Sequence, residues 1–431
     1  MSEEQRPSTQ EFEESLEPVK LVAQSGAVIR TGQLMLESGT ASYRVKQAMR
    51  AVARSLGIDQ PRHHVSLTEL AATSRRGRIF RTEVSEAKGF HVNVDRIAQL
   101  DRFRRDLPPS TTAEEIHRGL DAIEARGSLY PSWAFAVFSG VACAAFAVLN
   151  RALPLEVLVV FAAAFLGQAV RRAFVTRHVN LFGTAMVSAA VASVVYLAGV
   201  WLINVSGEGL STHAAGYISS VLFLLPGFAL ITGALDMANM DLRAGIERIA
   251  YGTMITMAAG VSVWAVSLVG ELDTLPRADD ATPLALRAVL WFLASGIGVM
   301  GFALLFNSPW RLAAWAAGIG ALANAARLVA GDLGMAVQAA TALACLGVGC
   351  LAALVARGGR YPHITLSVPG VLVMIPGVAA HQALMDINAG DYSAAIGGIL
   401  MVVLVVLAIM VGLVGAKLLT DKEWAMGRTE R

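Results

Sequence analysis

Two short patterns carry most of the chemistry open to this chain. Pro226-Gly227 is followed by Asp236 and Asp241, and Pro376-Gly377 by Asp386 and Asp391. Pro-Gly-x8-Asp-x4-Asp thus occurs twice, at a constant offset of 150 residues. A proline inside a helix removes a backbone donor and clashes with the carbonyl four residues back, and the following glycine loosens the chain further. Each pair predicts either a packing kink or a broken helix whose freed N–H groups and positive half-helix end meet a substrate carboxylate. Thr232 and Gln382 lie six residues past the two prolines and can hydrogen-bond a solute or another helix. Pro226, Gly227, Pro376, Gly377, Thr232 and Gln382 are therefore the substrate-binding candidates. Asp236, Asp241, Asp386 and Asp391 either gate access and carry a proton or serve as interfacial and capping residues. His381 joins the proton-coupling candidates because imidazole titrates in a useful range; the plainer reading is a hydrogen-bonded core residue. Gln168 and Asn324 are further uncharged polar residues within apolar runs.

The segments that must position these groups are apolar. The chain is 55% hydrophobic and 16% charged, with a mean hydropathy of +0.56, which argues against a cytosolic enzyme. Residues 1–130 hold 37 of the 68 Lys, Arg, Asp and Glu residues, so a charged segment precedes a charge-poor body. Apolar runs fall at about 133–150, 155–170, 181–203, 214–235 and 249–269, then at 284–306, 311–329, 335–356, 364–385 and 393–416. Most approach the roughly 20 residues that span a bilayer. Pro226 and Pro376 are each the thirteenth residue of their run, near the midplane.

Earlier matches, Ser139-Gly140 with Ser295-Gly296 and Phe146-Ala147 with Phe302-Ala303, have an offset of 156. The six-residue change is expected in a second-block connection shorter than Arg171–Asn180, near Gly331–Gly334. An odd number of helices per block turns the second block over, the plan of many alternating-access transporters. A duplicated scaffold is the plainer alternative. With the N-terminus inside, inner loops and the C-terminal tail carry twelve Lys or Arg against four outside, which puts both termini in the cytoplasm.

The fold class read here is an α-helical polytopic membrane protein: ten transmembrane helices as two inverted five-helix repeats, preceded by a small α+β soluble domain. Its divisions are a disordered acidic N-terminus (1–18), a cytoplasmic α+β domain (19–130), two membrane repeats (131–270 and 283–418) and a cytoplasmic tail (419–431). Val19 to Leu56 reads as a helical hairpin broken at Ser38-Gly39, and 63–72, 77–84 and 89–95 as strands. Thr112-Ala-Glu-Glu115 reads as a capping box. The glutamate-rich start does not form a signal peptide. Cys143, Cys345 and Cys350 lie in apolar runs without metal-ligand spacing, and His63-His64 on a strand would face opposite ways. No catalytic residue, metal site or cofactor is expected. The nearly balanced charge of +2 argues against nucleic-acid binding.

Several stretches are similar to the threonine/serine exporter family: Ser38-Gly39 through Tyr43-Arg44-Val45 and Met49; Asn93 through Arg96 with Leu100; and Tyr130-Pro131-x-Trp133. The most specific runs from Leu225-Pro226-Gly227-Phe228 through Asp236, Asp241, Gly245 and Arg248. Ile375-Pro376-Gly377 through Gly390-Asp391-Tyr392 resembles the family's second membrane unit. The resemblance covers roughly residues 20–418, and in some relatives the halves look like separate chains. Lys46 departs from the family's pattern, which has an acidic residue there. The resemblance implies export of threonine and serine across the cytoplasmic membrane, driven by protons. A related subgroup implies small dicarboxylates such as succinate instead. The partners implied are a small amino-acid or carboxylate solute, protons and membrane lipids; a homo-oligomer stays open. A reading of another class is a membrane-anchored sensor or enzyme acting through the N-terminal domain, but no catalytic constellation supports it.

Overall fold

The computed structural model describes residues 9–59, 61–87, 89, 91–207, 214–270, 282–359, 361–388 and 390–426, with side chains from residue 19 onward except at 214, 378, 381, 384, 388 and 423. The chain forms two compact units, Met1–Gly127 with Asp236–Glu247, and Ser128–Leu235 with Arg248–Arg431.

In the first unit α1 (Thr9–Glu37) and α2 (Ser42–Ser55) form a hairpin, reversed at Gly39 with φ 88°. Strands β1 (Arg62–Val65), β2 (Glu69–Arg76) and β3 (Ile79–Glu86) make an antiparallel sheet in that order. The Gly77-Arg78 turn joins β2 to β3, with Gly77 at φ 57° as a two-residue hairpin requires. Helices α3 (Val94–Arg105) and α4 (Ala113–Glu124) complete the unit. Val45, Ala48, Met49 and Val52 recur at helical spacing on α2 and are buried with Leu21 and Val28 of α1 and Leu70 and Ala72 of β2. Thr112 and Glu115 form the capping box at α4. Hydrogen bonds from the Thr111 hydroxyl and the Thr112 N–H hold the Glu115 carboxyl below its ordinary value.

Two expectations for this unit change. The described residues of 89–95 do not form a strand: Asn93 accepts the Arg96 N–H at 3.1 Å and starts α3. Its apolar residues, Val94, Ile97 and Leu100, repeat every three rather than every two. Helix α1 begins at Thr9, inside the segment expected to be disordered; Glu-rich sequence forms helix well and suits a helix N-terminus.

The second unit is helical throughout its described residues. It contains α5 (Ser132–Leu149), α6 (Pro154–Thr176), α7 (Leu181–Val205), α8 (Ala214–Ser219), a 3-10 turn (Leu222–Leu224), α9 (Gly227–Ala238) and α10 (Leu242–Ser267). After residues outside the described set come α11 (Leu284–Leu305), α12 (Trp310–Asp332), α13 (Val337–Ala356), α14 (His363–Leu372), α15 (Gly377–Asn388), α16 (Tyr392–Thr420) and α17 (Lys422–Ala425). Among the described residues eight helices are long and apolar enough to cross a membrane. The fourth and ninth apolar runs are interrupted instead. Ala215–Leu224 and Gly227–Ala238 meet at 68°, and α14 ends four residues before Pro376.

The same backbone endings recur along these helices. Ala152 N–H donates to Ala147 O with Arg151 at φ 62°, and Ser308 N–H donates to Ala303 O with Asn307 at φ 57°. Val179 donates to Phe174 with His178 left-handed, and Met335 donates to Ala330 with Gly334 left-handed. Both sets differ by 156 residues. Asp241 donates to Asp236 with Met240 left-handed, and Asp391 donates to Asp386 with Gly390 left-handed, 150 residues apart. These are Schellman-type endings. They also relocate the six-residue difference. The α6–α7 and α12–α13 connections match in length, so the shortening lies at the far end of α13 and in the link to α14. The reason is visible in helix length: α7 has 25 residues and α13 has 20.

Small residues let α5 and α11 cross closely. A Cβ on Gly301 would meet Ala142 Cβ and Phe138 O at 2.9 Å, and one on Gly298 would meet Ala145 Cβ at 3.6 Å. Gly301→Leu is therefore expected to lower the thermal midpoint of the reconstituted chain by overpacking worth about 1–3 kcal/mol. Gly318→Leu, where a Cβ meets nothing within 4 Å, is the control. Equal midpoints would contradict the close crossing.

His63 faces inward on β1, both ring nitrogens without a protein partner, and burial together with nearby Arg50 and Lys46 pushes its imidazole down to about 4. The folded form thus binds a proton less readily than the unfolded chain. The stability this contributes is present above about pH 6.5 and is lost as pH falls toward 4. Amide exchange in α2 and β1 of the full chain should accelerate over that window and flatten in His63→Gln; identical profiles would refute it.

Candidate functional site

The two Pro-Gly pairs sit at helix breaks that pack on each other. Leu225 is extended, at φ −64° and ψ 119°, as a residue before proline prefers, and α9 starts again from Pro226, whose carbonyl accepts the Leu230 N–H at 3.1 Å. At the second break Ala380 N–H donates to the Pro376 carbonyl, also at 3.1 Å. Both glycine N–H groups turn back on the chain, Gly227 to Leu225 O at 2.8 Å and Gly377 to Ile375 O at 2.9 Å. Gly227 is pressed against Leu372 and Ile375, and Gly377 against Leu222. Leu222 and Leu372 are 150 residues apart, as the glycines are, so each contact is the image of the other. A side chain on either glycine would force the breaks apart.

Among the described residues, cavities lie at and beside the crossing. One of about 30 Å³ lies between the breaks, lined by Phe146, Leu222 and Leu225 and by their counterparts Phe302, Leu372 and Ile375. Two others are flanking counterparts of very different size. One of about 250 Å³ is walled by Leu225, Thr256, Ala259, Gly260, Val263 and Ala380. The other, of about 20 Å³, has Ile375, Val406, Ile409, Met410, Leu413 and Leu230 at the corresponding places. Thr256, Ala259 and Gly260 leave open what Val406, Ile409 and Met410 fill. The larger space approaches the roughly 300 Å³ at which small-molecule pockets begin.

The remaining candidates fall in several places. Thr232 is buried on α9; its hydroxyl donates to Phe228 O at 2.8 Å and accepts from Arg248 Nη1 at 3.4 Å. Gln382 Nε2 donates to Asp386 Oδ1 at 3.0 Å, one turn along α15. Asp391 caps α16 by accepting the Ala394 N–H at 3.0 Å. His381 lies on α15, but its side chain is outside the described residues. Asp236 and Asp241 belong to the first unit. Asp236 accepts the Ser42 N–H at 2.8 Å and the Ser42 hydroxyl at 3.0 Å, and Asp241 pairs with Lys46. Ala41 at the α2 N-cap has no side chain able to cap, so Asp236 supplies the negative group for the start of α2. The Lys46 departure from the family pattern thus gains a partner. In the second unit, Asn324 bridges Ser295 and Arg327 at 2.8 Å each, while Gln168 Oε1, 156 residues earlier, has no protein partner.

Sequence reasoning missed Glu156. It lies in the first turn of α6, fully buried, with Oε2 accepting the Leu153 N–H at 3.2 Å and Oε1 accepting the Tyr196 hydroxyl at 2.9 Å. Tyr196 meets Tyr217 edge to face at 5.7 Å, and Tyr217 donates to Val263 O at 2.6 Å, in the wall of the larger cavity. Its signal was a lone carboxylate inside an otherwise uncharged run. Among the described residues no group of three or more His, Cys, Asp or Glu side chains could hold a metal. Cys143, Cys345 and Cys350 are all free thiols.

A family model described as threonine/serine exporter matches residues 27–270, and a second, "Threonine/Serine exporter, ThrE", matches 291–419. A Mycobacterium tuberculosis protein named "Probable threonine/serine exporter" is 24% identical over 382 residues, covering 84% of this chain and 70% of that protein. The "Probable succinate transporter subunit YjjP" of Escherichia coli is 24% identical over 240 residues, 54% of this chain and 90% of the relative. Its namesake from Klebsiella aerogenes is also 24% identical, over 242 residues, 54% of this chain and 89% of the relative. No solved structure matches the chain. Together, models covering most of its length and relatives named as exporters or transporters place it: this multi-pass membrane protein belongs to the threonine/serine exporter family.

Proposed function

We propose that this protein exports threonine and serine across the cytoplasmic membrane in exchange for protons. The observation that carries this reading is the reciprocal packing of the two Pro-Gly breaks, Gly227 on Leu372 and Gly377 on Leu222. Contacts in which each half presents the same residues to the other are what a two-fold axis produces. With five hydrophobic segments per half, such an axis lies in the membrane plane and turns the second half over. We read the chain accordingly as two inverted five-segment repeats, with segments four and nine broken and both termini cytoplasmic. The alternative duplicated scaffold would have no need for breaks at matched depth.

On this reading the solute binds beside Pro226, Gly227, Pro376 and Gly377, where the half-helices α9 and α15 present their positive ends. Thr232 and Gln382 lie a turn and a half farther along. The threonine and serine assignment rests on the family and on the relative named for that activity. Relatives named for succinate favour a second reading, export of a small dicarboxylate. Both solutes carry the carboxylate that a half-helix end attracts. Proteoliposomes loaded with labelled threonine, serine or succinate and given a pH gradient decide between them. Gradient-dependent efflux of threonine and serine is the expected result. Preferential succinate efflux selects the second reading, and the absence of any gradient-dependent flux would sink both.

The four aspartates and His381 are the gate and proton-coupling candidates of this proposal. Asp236 and Asp241 would act through the hold of the α9–α10 junction on α2, and Asp386 and Asp391 at the other end. Asp236→Asn keeps one acceptor oxygen but removes the charge, weakening the Ser42 cap by about 1–2 kcal/mol. Asp236→Asn and Asp386→Asn are expected to reduce the pH dependence of efflux while membrane insertion stays normal. Normal efflux for both across a pH series would assign these carboxylates a purely structural role.

A further inference from the structure

We propose that Glu156 is the side chain that carries the coupled proton, and that it passes its protonation state to the broken helix through Tyr196 and α8. The inference rests on the proton-driven reading above and deepens it.

Glu156 is a fully buried carboxylate within an apolar helical unit, where a charge is costly unless its neighbours are arranged to receive it. Here Tyr196 and the Leu153 N–H each donate to one carboxylate oxygen. Adding a proton turns one of those oxygens from an acceptor into a donor. A proton on Oε1 weakens that oxygen as an acceptor and favours the reverse bond, Glu156 donating to Tyr196, so the Tyr196 hydroxyl turns. What lies against that hydrogen bond is α8. A Cβ on Gly216 would collide with both Glu156 Oε1 and the Tyr196 hydroxyl, so the α8 backbone rests directly on the Glu156–Tyr196 pair. The next residue, Tyr217, stacks edge-on against Tyr196 and ties α8 to Val263 of α10. Ile218 and Val263 are both walls of the 250 Å³ cavity. A proton on Glu156 therefore acts on the segment that ends at the Pro226 break and borders the larger space.

Among the described residues few other ionisable groups compete at this place. Helix α5 brings only the Cys143 thiol, α7 only Tyr196 and α8 only Tyr217; the 3-10 turn brings none, and Arg151 precedes α6. The second half has no equivalent. Positions 156 residues beyond Glu156 and Tyr196 are Leu312 and Ala352, and those 150 beyond Gly216 and Tyr217 are Leu366 and Ser367. One fully buried carboxylate among the described residues of the second unit suits a single proton site. In the proposed orientation α6 starts at the outer face, where an exporter takes up the entering proton.

The test uses the full chain in proteoliposomes, with labelled threonine, or succinate if the flux panel selects it. Gradient-driven efflux is compared with gradient-free counterflow for wild type, Glu156→Gln and Tyr196→Phe. Glu156→Gln is expected to lose about tenfold or more of its gradient-driven efflux, keep counterflow and lose the pH dependence of efflux. Tyr196→Phe is expected to shift the pH profile while retaining efflux. A parallel infrared titration needs no substrate: wild type should gain a buried-carboxyl C=O band on acidification that Glu156→Gln lacks. Gradient-driven efflux with a wild-type pH profile in Glu156→Gln would overturn the proposal, as would an infrared difference spectrum unchanged by the substitution. If Glu156→Gln fails to insert, an unshifted profile in Tyr196→Phe overturns it. Wild type lacking gradient-driven efflux but showing the Glu156 band would instead overturn the proton-antiport reading, and the coupling role with it.

Discussion

Hydrocarbon offers no hydrogen bond to an unpaired peptide group, so a helix can be interrupted inside a membrane only where protein surrounds the gap. Pro226 and Pro376 each create such a gap, and each would be untenable against lipid. The arrangement around them follows from that constraint. Gly227 and Gly377 lack side chains where the opposite break must approach, and Leu222, Leu372 and Ile375 close over them. Ala142, Ala145, Gly298 and Gly301 play the same part where α5 crosses α11. Small residues therefore fall where backbone must meet backbone, and the large aliphatic residues of α7, α10 and α16 are left to face outward.

The two Asp pairs show how one sequence pattern serves unlike partners. Asp386 and Asp391 stay local, bonded to Gln382 and capping α16. Asp236 and Asp241 end their helix with the same backbone turn, yet their side chains are taken by Ser42 and Lys46 of α2. The junction between α9 and α10 thereby becomes part of the N-terminal unit, with Glu247 accepting the Leu67 N–H and Arg243 reaching Glu69. A motif that marks the repeat in both halves is also, in one half, the covalent route from the charged domain to a broken helix.

Much of this was legible because lipid imposes strong compositional rules. The ten apolar runs, the Pro-Gly pairs and the Asp spacings stood out since charge and proline are scarce in such segments. The hairpin of α1 and α2 and the capping box at Thr112 followed from local spacing. What escaped was tertiary or masked by local form. Asp236 caps a helix 194 residues away, a contact no window reveals. Glu156 looked like an ordinary early-helix acid, and only folding brings Tyr196, forty residues on, and Gly216 against it. The misread strand at 89–95 had β-branched residues, but Asn93 as a cap and a three-residue apolar repeat outweighed them. The link expected to be shorter was misplaced because Gly331–Gly334 looked like a compact loop, whereas it closes with the same turn as its counterpart.

The shared spacings make the differences between halves more informative than their likeness. Residues 150 apart line both flanks of the crossing, yet one flank holds about 250 Å³ and the other about 20 Å³. Side-chain size differs in the direction of these volumes, since Thr256, Ala259 and Gly260 stand against Val406, Ile409 and Met410. The buried polar groups divide the same way. The second half seals its Ser295–Asn324–Arg327 set with hydrogen bonds and has Leu312 at the position matching Glu156. The first half keeps an open amide oxygen on Gln168, the Glu156–Tyr196 pair and the larger cavity. A more tightly filled half can serve as a frame against which the other moves. A half with spare volume and an ionisable core has both the room to move and a group whose charge can bias the movement. On the proton-driven reading proposed above, the work done by a proton would fall on the α6–α8 side, with the second break providing the surface that it moves against.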